Sequence, residues 1–310
     1  METIAAPTTW RWVLIAAIAP IAWGSTYFVT RQLLPADVPL WGAVIRALPA
    51  GLILLLIARR LPRGSWWWKS VVLGFLNVGA FFILVYVAAQ LLPSSIASTL
   101  MALAALVMAL LAWPLLGERP RLVSIAGAVI GIAGVCIMLL SDVTSLNPWG
   151  ILASLAAMIM SSVGFILAKK WGAGVDPLAL TSWQLIAGAV LVLPVAAVVE
   201  GAPPALEPPA ILGFLYVTVI ATAVANVAWL VALRNLPVAS VGIIGLLNPV
   251  TGVALGVILA SEAFGWRQLV GVVLVLGGVL LAQRPRNRPP RLKMEGYVRA
   301  RDPDRDHLPA

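Results

Sequence analysis

The chain has 310 residues, of which 61% are apolar and only 11% are charged. A soluble globular protein carries about 25% charged residues, so this composition excludes a soluble fold and predicts an integral membrane protein. The net charge of +9 comes from basic residues at segment ends and in the last 27 residues, a distribution typical of contact with anionic lipid headgroups and not of nucleic-acid binding.

Apolar runs of the ~20 residues that a helix needs to cross a bilayer recur along the chain. They predict an all-α integral membrane protein with ten transmembrane helices, separated by short loops that make successive helices antiparallel neighbours. The spans fall at about 11–30, 39–58, 67–90, 94–115, 121–140, 148–168, 177–199, 209–233, 238–260 and 266–283. Residues 284–310 form a basic tail rich in Arg, Pro and Asp, which we expect to be cytoplasmic and disordered.

The basic residues predict the orientation of these spans. If the N-terminus is inside, 18 of the 21 Lys and Arg residues fall in inner segments and only Arg31 and Arg267 fall in outer loops. This bias predicts a multi-pass protein of the bacterial inner membrane with both termini in the cytoplasm.

The chain also repeats itself. Pro93, Glu118, Gly127 and Gly134 recur 144 residues later as Pro237, Glu262, Gly271 and Gly278. We therefore predict two repeats, residues 1–145 and 146–283, of five helices each. Because five is odd, the second repeat is inverted relative to the first, an arrangement typical of secondary transporters that bind substrate between the two halves.

These segments resemble the drug/metabolite transporter superfamily, in its EamA-type branch with ten helices. The resemblance covers about residues 12–283 and lies in Trp23-Gly24-Ser25-Thr26, in Leu116-Gly117-Glu118-Arg119-Pro120 and in the Gly127, Gly131, Gly134 series. Within the branch the chain is most similar to the YddG-type exporters of aromatic and other amino acids. Other branches export threonine and homoserine, purine ribosides or drugs, so the resemblance implies an exporter without fixing its substrate.

Arg46 is the only charge well inside a predicted span, about seven residues into the second helix. A charge at that depth is a candidate functional group, and a guanidinium suits a substrate carboxylate. The alternative is that Arg46 extends to the outer surface or holds carbonyl groups of a neighbouring helix. Gln184 occupies the matching place in the second repeat, 138 residues later.

All twelve carboxylates lie in loops, span ends or termini, and the one histidine, His307, lies in the tail. Ion-coupled transporters usually carry a carboxylate or histidine within the membrane. We therefore expect transport without obligatory ion coupling, no metal, no cofactor and no catalytic residue. Glu118 and Glu262, which close spans, are expected to cap the next helix or to form salt bridges.

Polar and aromatic residues in mid-span are the remaining candidates for substrate binding. Amide donors and aromatic walls would bind apolar amino acids, but Ser and Asn also commonly join packed helices, so each residue has a structural alternative. The candidates are Trp23, Ser25, Thr26, Asn77, Phe81, Tyr86, Met101, Ser161, Ser162, Trp183, Gln184, Tyr216, Asn226, Trp229 and Asn248.

A proline inside a span removes a backbone hydrogen bond and permits a bend. Pro20, Pro49, Pro194 and Pro249 are therefore candidate hinges or, equally, static kinks. The glycines of the fifth and tenth spans are read as packing surfaces, with dimerisation as the alternative, so we expect a monomer or a weak dimer.

These features favour an exporter of aromatic and other apolar amino acids and similar small metabolites, working by alternating access. The alternative within the superfamily is an exporter of drugs, purine nucleosides or other metabolites, possibly one that is proton-coupled. A membrane enzyme would need a metal cluster or a nucleophile and base, and a channel would need a charged ring or a carbonyl filter. The inverted duplication favours a transporter over a membrane enzyme or a channel.

Overall fold

A computed structural model describes residues 8–35, 37–91, 100–139, 147–259 and 265–282. The predicted tail at 284–310, Pro93 and Glu262 all lie outside these residues. Within the described part of the chain every regular element is helical, and the fold is a bundle of apolar helices.

The helices follow the predicted spans closely except at the fourth, whose predicted start at 94 lies outside the described residues. The described helices are α1 (Thr8–Leu33), α2 (Pro39–Ala58), α3 (Trp66–Gly74 and Ala80–Leu91, joined by a π turn at Phe75–Gly79), α4 (Ala104–Leu116), α5 (Leu122–Leu139), α6 (Pro148–Trp171), α7 (Pro177–Val199), α8 (Pro208–Thr218 and Ala225–Asn235, joined by a π turn at Val219–Val224), α9 (Val238–Ile244 and Leu247–Leu259) and α10 (Trp266–Ala282).

Six helices in the described segments are long and apolar enough to cross a membrane, and four shorter apolar helices accompany them. The short ones are α4, α5, α9 and α10. An all-helical membrane protein is therefore confirmed, whereas ten membrane crossings stay a prediction.

Local sequence explains where several helices begin. Pro39, Pro148, Pro177 and Pro208 each open a helix, where the missing N–H costs nothing because the first turn has no acceptor for it. Asn147 caps α6 by accepting the backbone N–H of Trp149 at 2.9 Å.

The packing of the helices has a reciprocal pattern. α2 lies on α7, α4 on α9 and α5 on α10; α1 packs against α8 and α9, while α6 packs against α3 and α4. Replacing each helix by the one five places along the chain leaves this set of contacts unchanged. The inverted relation of the two predicted repeats stays a prediction.

The glycines of α5 and α10 meet within the chain. A Cβ atom on Gly134 would lie 2.7 Å from the carbonyl oxygen of Gly271, and a Cβ atom on Gly278 would lie 2.5 Å from the carbonyl oxygen of Gly127. The two contacts are equivalent positions of the repeat with their roles exchanged. They show close packing of α5 on α10; the sequence predicted packing surfaces on these two helices but not that they face each other.

The two ends of the bundle are named here by one residue each. At the Lys169 end, Lys169 donates to the carbonyl of Leu236 at 2.8 Å and pairs with Glu118 at 2.6 Å. At the Glu200 end, the two carboxylate oxygens of Glu200 accept the backbone N–H groups of Leu40 and Trp41 at 2.7 and 2.8 Å. Both contacts join helices that are distant in sequence, and so tie the bundle together at its two ends.

Glu118 forms a salt bridge and caps a helix, as the sequence predicted, but the helix is not the expected one. Besides its ion pair, it accepts the backbone N–H of Val238 at 2.9 Å. The helix that it caps is therefore α9, which belongs to the other repeat, and not α5, which follows it in the chain.

Candidate solute site around the π turn of α8

The π turn of α8 binds side chains from two other helices. The indole N–H of Trp23 in α1 donates to the carbonyl of Ala221 at 3.0 Å, and Nε of Arg46 in α2 donates to the hydroxyl of Thr222 at 3.0 Å. A π turn widens the helix and presents backbone carbonyls outside the regular hydrogen-bond ladder, and such turns are frequent at functional sites. This turn therefore gathers a cation and an aromatic ring at one level of the bundle.

Arg46 points into the bundle. Its guanidinium carbon lies 4.2 Å from the centroid of the Phe82 ring in α3, and the residue is half-buried. The contacts with Phe82 and Thr222 place the charge between α2, α3 and α8. A ring face and a hydroxyl partly compensate the loss of water around the cation.

Aromatic rings from three helices form a group with Trp23, which bonds to the same turn of α8 as Arg46. The Trp23 ring is 5.2 Å from that of Trp229 and 6.1 Å from that of Phe165, and the Phe165 and Trp229 rings are 5.7 Å apart. The buried indole nitrogen of Trp229 has no hydrogen-bond partner among the described residues. A buried donor without a partner is unusual and makes this ring a candidate contact for a bound molecule.

Two hydroxyls complete the group on the side of α8 that precedes the π turn. The Ser25 hydroxyl forms a short hydrogen bond with the Tyr216 hydroxyl, and it also donates to the carbonyl of Ala22. We call Trp23, Ser25, Arg46, Tyr216 and Trp229, all predicted from sequence, together with Phe82, Phe165 and Thr222, the central cluster.

A second polar pair occupies the matching place in the other half. Nδ2 of Asn77, in the π turn of α3, donates to Oε1 of Gln184 in α7 at 3.0 Å. Gln184 corresponds to Arg46 and Asn77 to the π-turn region of α8, so this pair is the neutral counterpart of Arg46 and Thr222. Asn77 and Gln184 are 3% and 0% exposed, which makes the pair a helix-packing contact in this conformation.

The side chains of four other predicted residues form hydrogen bonds within their own helix. Each hydroxyl or amide donates to a backbone carbonyl three or four residues earlier, the structural alternative considered for Ser and Asn. Ser161 and Ser162 bond to Met158, Thr26 bonds to Ala22, and Asn226 bonds to Thr222.

Two predicted residues lie towards the ends of the bundle. The indole N–H of Trp183 donates to the carbonyl of Arg60 at 2.7 Å, at the Lys169 end. The Tyr86 hydroxyl donates to the carbonyl of Pro35 at 3.1 Å, at the Glu200 end. Neither is brought to the central cluster by these contacts.

Three predicted residues are half-buried and have different surroundings. Phe81 joins the cluster indirectly, because its ring lies 5.8 Å from that of Phe82. The backbone oxygen of Asn248 packs on Gly24 of α1. Met101 lies just before α4.

The prolines differ in their surroundings as well. Pro20 is buried inside the continuous helix α1, while Pro49 and Pro194 are exposed on α2 and α7. Pro249 is buried in the first turn of the second half of α9, where its missing N–H breaks no helical bond. Their role as hinges stays a prediction.

Sequence reasoning missed Thr222, Phe82 and Phe165. A signal existed for Thr222: the offset of 144 carries Asn77 to the neighbouring position, Ala221. Among the described residues, no group of three or more His, Cys, Asp or Glu could hold a metal ion.

A bundle of long apolar helices is the architecture of a multi-pass integral membrane protein, and the cation and aromatic rings inside it are groups that can contact a small molecule. The chain belongs to the EamA-like transporter family of the drug/metabolite transporter superfamily. The family's sequence profile matches twice, at residues 10–140 and 148–283.

Curated relatives agree with this assignment, and a solved structure has the same fold. The chain is 37% identical over 271 residues to Protein PecM of Dickeya dadantii, covering 86% of this chain and 91% of PecM. It is 30% identical over 269 residues to the uncharacterized inner membrane transporter YedA of Escherichia coli K12, covering 84% and 87%. A protein of known crystal structure matches with a TM-score of 0.75 over 89% of this chain and 97% of the other, at 21% identity, which shows the fold alone.

Proposed function

We propose that this transporter exports aromatic and other apolar amino acids, and similar small metabolites, by alternating access. The observation that carries the proposal is Arg46, a half-buried cation held by Thr222 and Phe82 inside the bundle. A charge in that position is costly and is a candidate functional group, and the planar guanidinium fork matches a carboxylate.

The aromatic members of the central cluster support the proposal that the substrate has an apolar side chain. The rings of Trp23, Phe165 and Trp229 lie within about 6 Å of one another, so a ring or a thioether could stack against them. In this proposal Arg46 binds the substrate carboxylate and the aromatic group lines the side-chain pocket.

The reciprocal packing supports alternating access. Contacts that persist when each helix is exchanged for its counterpart are expected of two inverted five-helix repeats, 1–145 and 146–283, which can exchange conformations to open either end. The contacts between α5 and α10 lie within one chain, which favours a monomer or a weak dimer.

The described carboxylates support transport without obligatory ion coupling. Asp37, Glu118, Asp176, Glu200 and Glu207 all lie outside the helices in the described part of the chain. A membrane-embedded proton relay would need titratable groups inside them. A flux that required an imposed pH or sodium gradient would contradict this part of the proposal.

The decisive experiment measures counterflow of labelled phenylalanine in proteoliposomes, with phenylalanine or phenethylamine as competitor. The amine lacks only the carboxylate, so wild type should discriminate between them and Arg46→Gln should lose the discrimination. We expect KM for phenylalanine to rise at least ~10-fold in Arg46→Gln, because a charge-assisted hydrogen bond contributes about 1.5–3 kcal/mol. Arg46→Lys should recover part of the discrimination between phenylalanine and phenethylamine.

Arg267→Gln is the matched control, because it also removes one arginine charge but at an exposed position at the start of α10. Equal amounts of each reconstituted protein are required. If Arg46→Gln transports phenylalanine with unchanged KM and maximal rate, the carboxylate assignment is wrong.

The proposed orientation places the Lys169 end in the cytoplasm of a bacterial cell, in the inner membrane. The basic residues of that end and the positive-inside rule support it. In a Cys136→Ala background, Ala202→Cys at the Glu200 end should react with a membrane-impermeant maleimide in intact cells. Arg63→Cys should react only after permeabilisation; labelling of both from outside would refute the orientation.

A second candidate is export of drugs or purine nucleosides, with or without proton coupling. The three clustered rings favour it, because a flat heterocycle would stack there without needing Arg46. It predicts that inosine or a planar cationic dye competes with flux in wild type and in Arg46→Gln alike.

A further inference from the structure

The Lys169 end of the bundle contains a cavity with cationic walls. Its volume is about 350 Å³, and Arg119, Arg121, Lys169 and Arg234 line it together with a single acid, Glu118. Four positive side chains against one negative side chain give this cavity an excess of positive charge.

Glu118 does not neutralise the excess. One of its oxygens lies 2.6 Å from Nζ of Lys169 and the other accepts the N–H of Val238 at 2.9 Å. Because these contacts engage Glu118 with Lys169 and Val238, Glu118 forms no ion pair with the arginines that line the cavity. Such a cavity favours an anion, and a phosphate, which accepts several hydrogen bonds from guanidinium groups, suits it well.

The apolar surface beside the cavity indicates the rest of the ligand. The guanidinium carbon of Arg119 lies 5.5 Å from the ring centroid of Trp113, which is 54% exposed on α4. Leu122, which follows Arg121 directly, is 84% exposed at the start of α5. In a bilayer such exposed apolar side chains face acyl chains, so the basic groups lie where a lipid's phosphate meets its hydrocarbon.

We propose that this cavity binds the headgroup of an anionic phospholipid. The phosphate lies against Arg119 and Arg121, and the acyl chains run along Trp113 and Leu122. Basic pockets between helices at a membrane surface are suited to such headgroups. Inorganic phosphate shares the headgroup chemistry but lacks the acyl chains, so the two sources can be separated by experiment. The site is independent of the substrate proposed above.

The test is lipid binding to the purified, delipidated full-length protein in detergent, with phosphatidylglycerol and phosphatidylcholine as probes in native mass spectrometry. Arg119→Gln combined with Arg121→Gln should weaken phosphatidylglycerol binding ~25-fold, at ~5-fold for each basic residue near the membrane surface. Both side chains are exposed, so the variant should fold.

The control combines Arg63→Gln with Lys170→Gln, which removes two exposed charges at the same end from residues that do not line this cavity. It should bind phosphatidylglycerol within about twofold of wild type, and an elution profile like that of wild type will verify folding of both variants. Equal weakening in the two variants, or no weakening in either, overturns the proposal. Displacement of phosphatidylglycerol by millimolar inorganic phosphate, with no preference over phosphatidylcholine, would show a phosphate site only and also overturns it.

Discussion

Gly277 and Gly278 are neighbours in α10, and alanine should have opposite effects on stability at the two positions. A Cβ atom on Gly278 would lie 2.5 Å from the carbonyl oxygen of Gly127 and 3.0 Å from the backbone nitrogen of Gly131, whereas a Cβ atom on Gly277 meets nothing within 4 Å. Since ordinary contact begins at 3.4 Å, α5 and α10 must separate by about 0.9 Å to admit Gly278→Ala.

The free energies follow from this separation. Backbone atoms cannot rotate away, and a gap of that size forfeits a quarter to a half of the dispersion energy of the facing atoms, so overpacking should cost about 1–3 kcal/mol. Alanine regains about 1 kcal/mol of helix propensity at either position. Gly278→Ala should therefore lower the free energy of unfolding by up to ~2 kcal/mol, and Gly277→Ala should raise it by up to ~1 kcal/mol.

The assay is titration of the purified protein in mixed micelles with sodium dodecyl sulfate, followed by circular dichroism. Gly134→Ala is a further check, because its Cβ atom would lie 2.7 Å from the carbonyl oxygen of Gly271 in the reciprocal contact, and it should destabilise as Gly278→Ala does. If Gly278→Ala proves as stable as Gly277→Ala, the close packing of α5 on α10 is refuted.

Two further predictions concern single contacts. Glu200→Ala should destabilise the protein by ~1–2 kcal/mol, because the first turn of α2 loses the acceptor for the N–H groups of Leu40 and Trp41. Glu200→Gln should cost less, because one oxygen remains. Equal stability of Glu200→Ala and wild type in the same titration would contradict this prediction. Asn77→Ala should lower the free energy of unfolding by ~1–3 kcal/mol. A double-mutant cycle with Gln184→Ala should give a coupling energy of ~1 kcal/mol. Strictly additive effects would exclude the pair as a stabilising contact.

Much of the architecture could be predicted from the sequence, because the length of an apolar run and the position of a charge are local properties. Most helix bounds, the packing glycines of α5 and α10 and the family were accessible in this way, and the two-repeat organisation stays a prediction. Arg46 was also visible, since one charge among apolar residues stands out at any depth. The match between Arg46 and Gln184 required only the repeat offset.

The tertiary structure alone decided which face of each helix turns inward. In a soluble helix, hydrophobic periodicity identifies the buried face, but here the lipid-facing and the protein-facing sides are both apolar, so the sequence gives no such signal. That is why Asn77, Ser161 and Ser162 looked as available to a substrate as Trp23, yet turned out to bond to other helices or to their own backbone.

The π turns also depend on the tertiary structure. Their hydrogen bonds are less favourable than those of an α-helix and depend on neighbouring helices, so composition cannot predict them. Without the turn in α8, neither Thr222 nor the carbonyl of Ala221 would be recognisable as the partners of Arg46 and Trp23. The sequence determined a duplicated helical transporter with one internal cation, and the contacts between its helices decided what surrounds that cation.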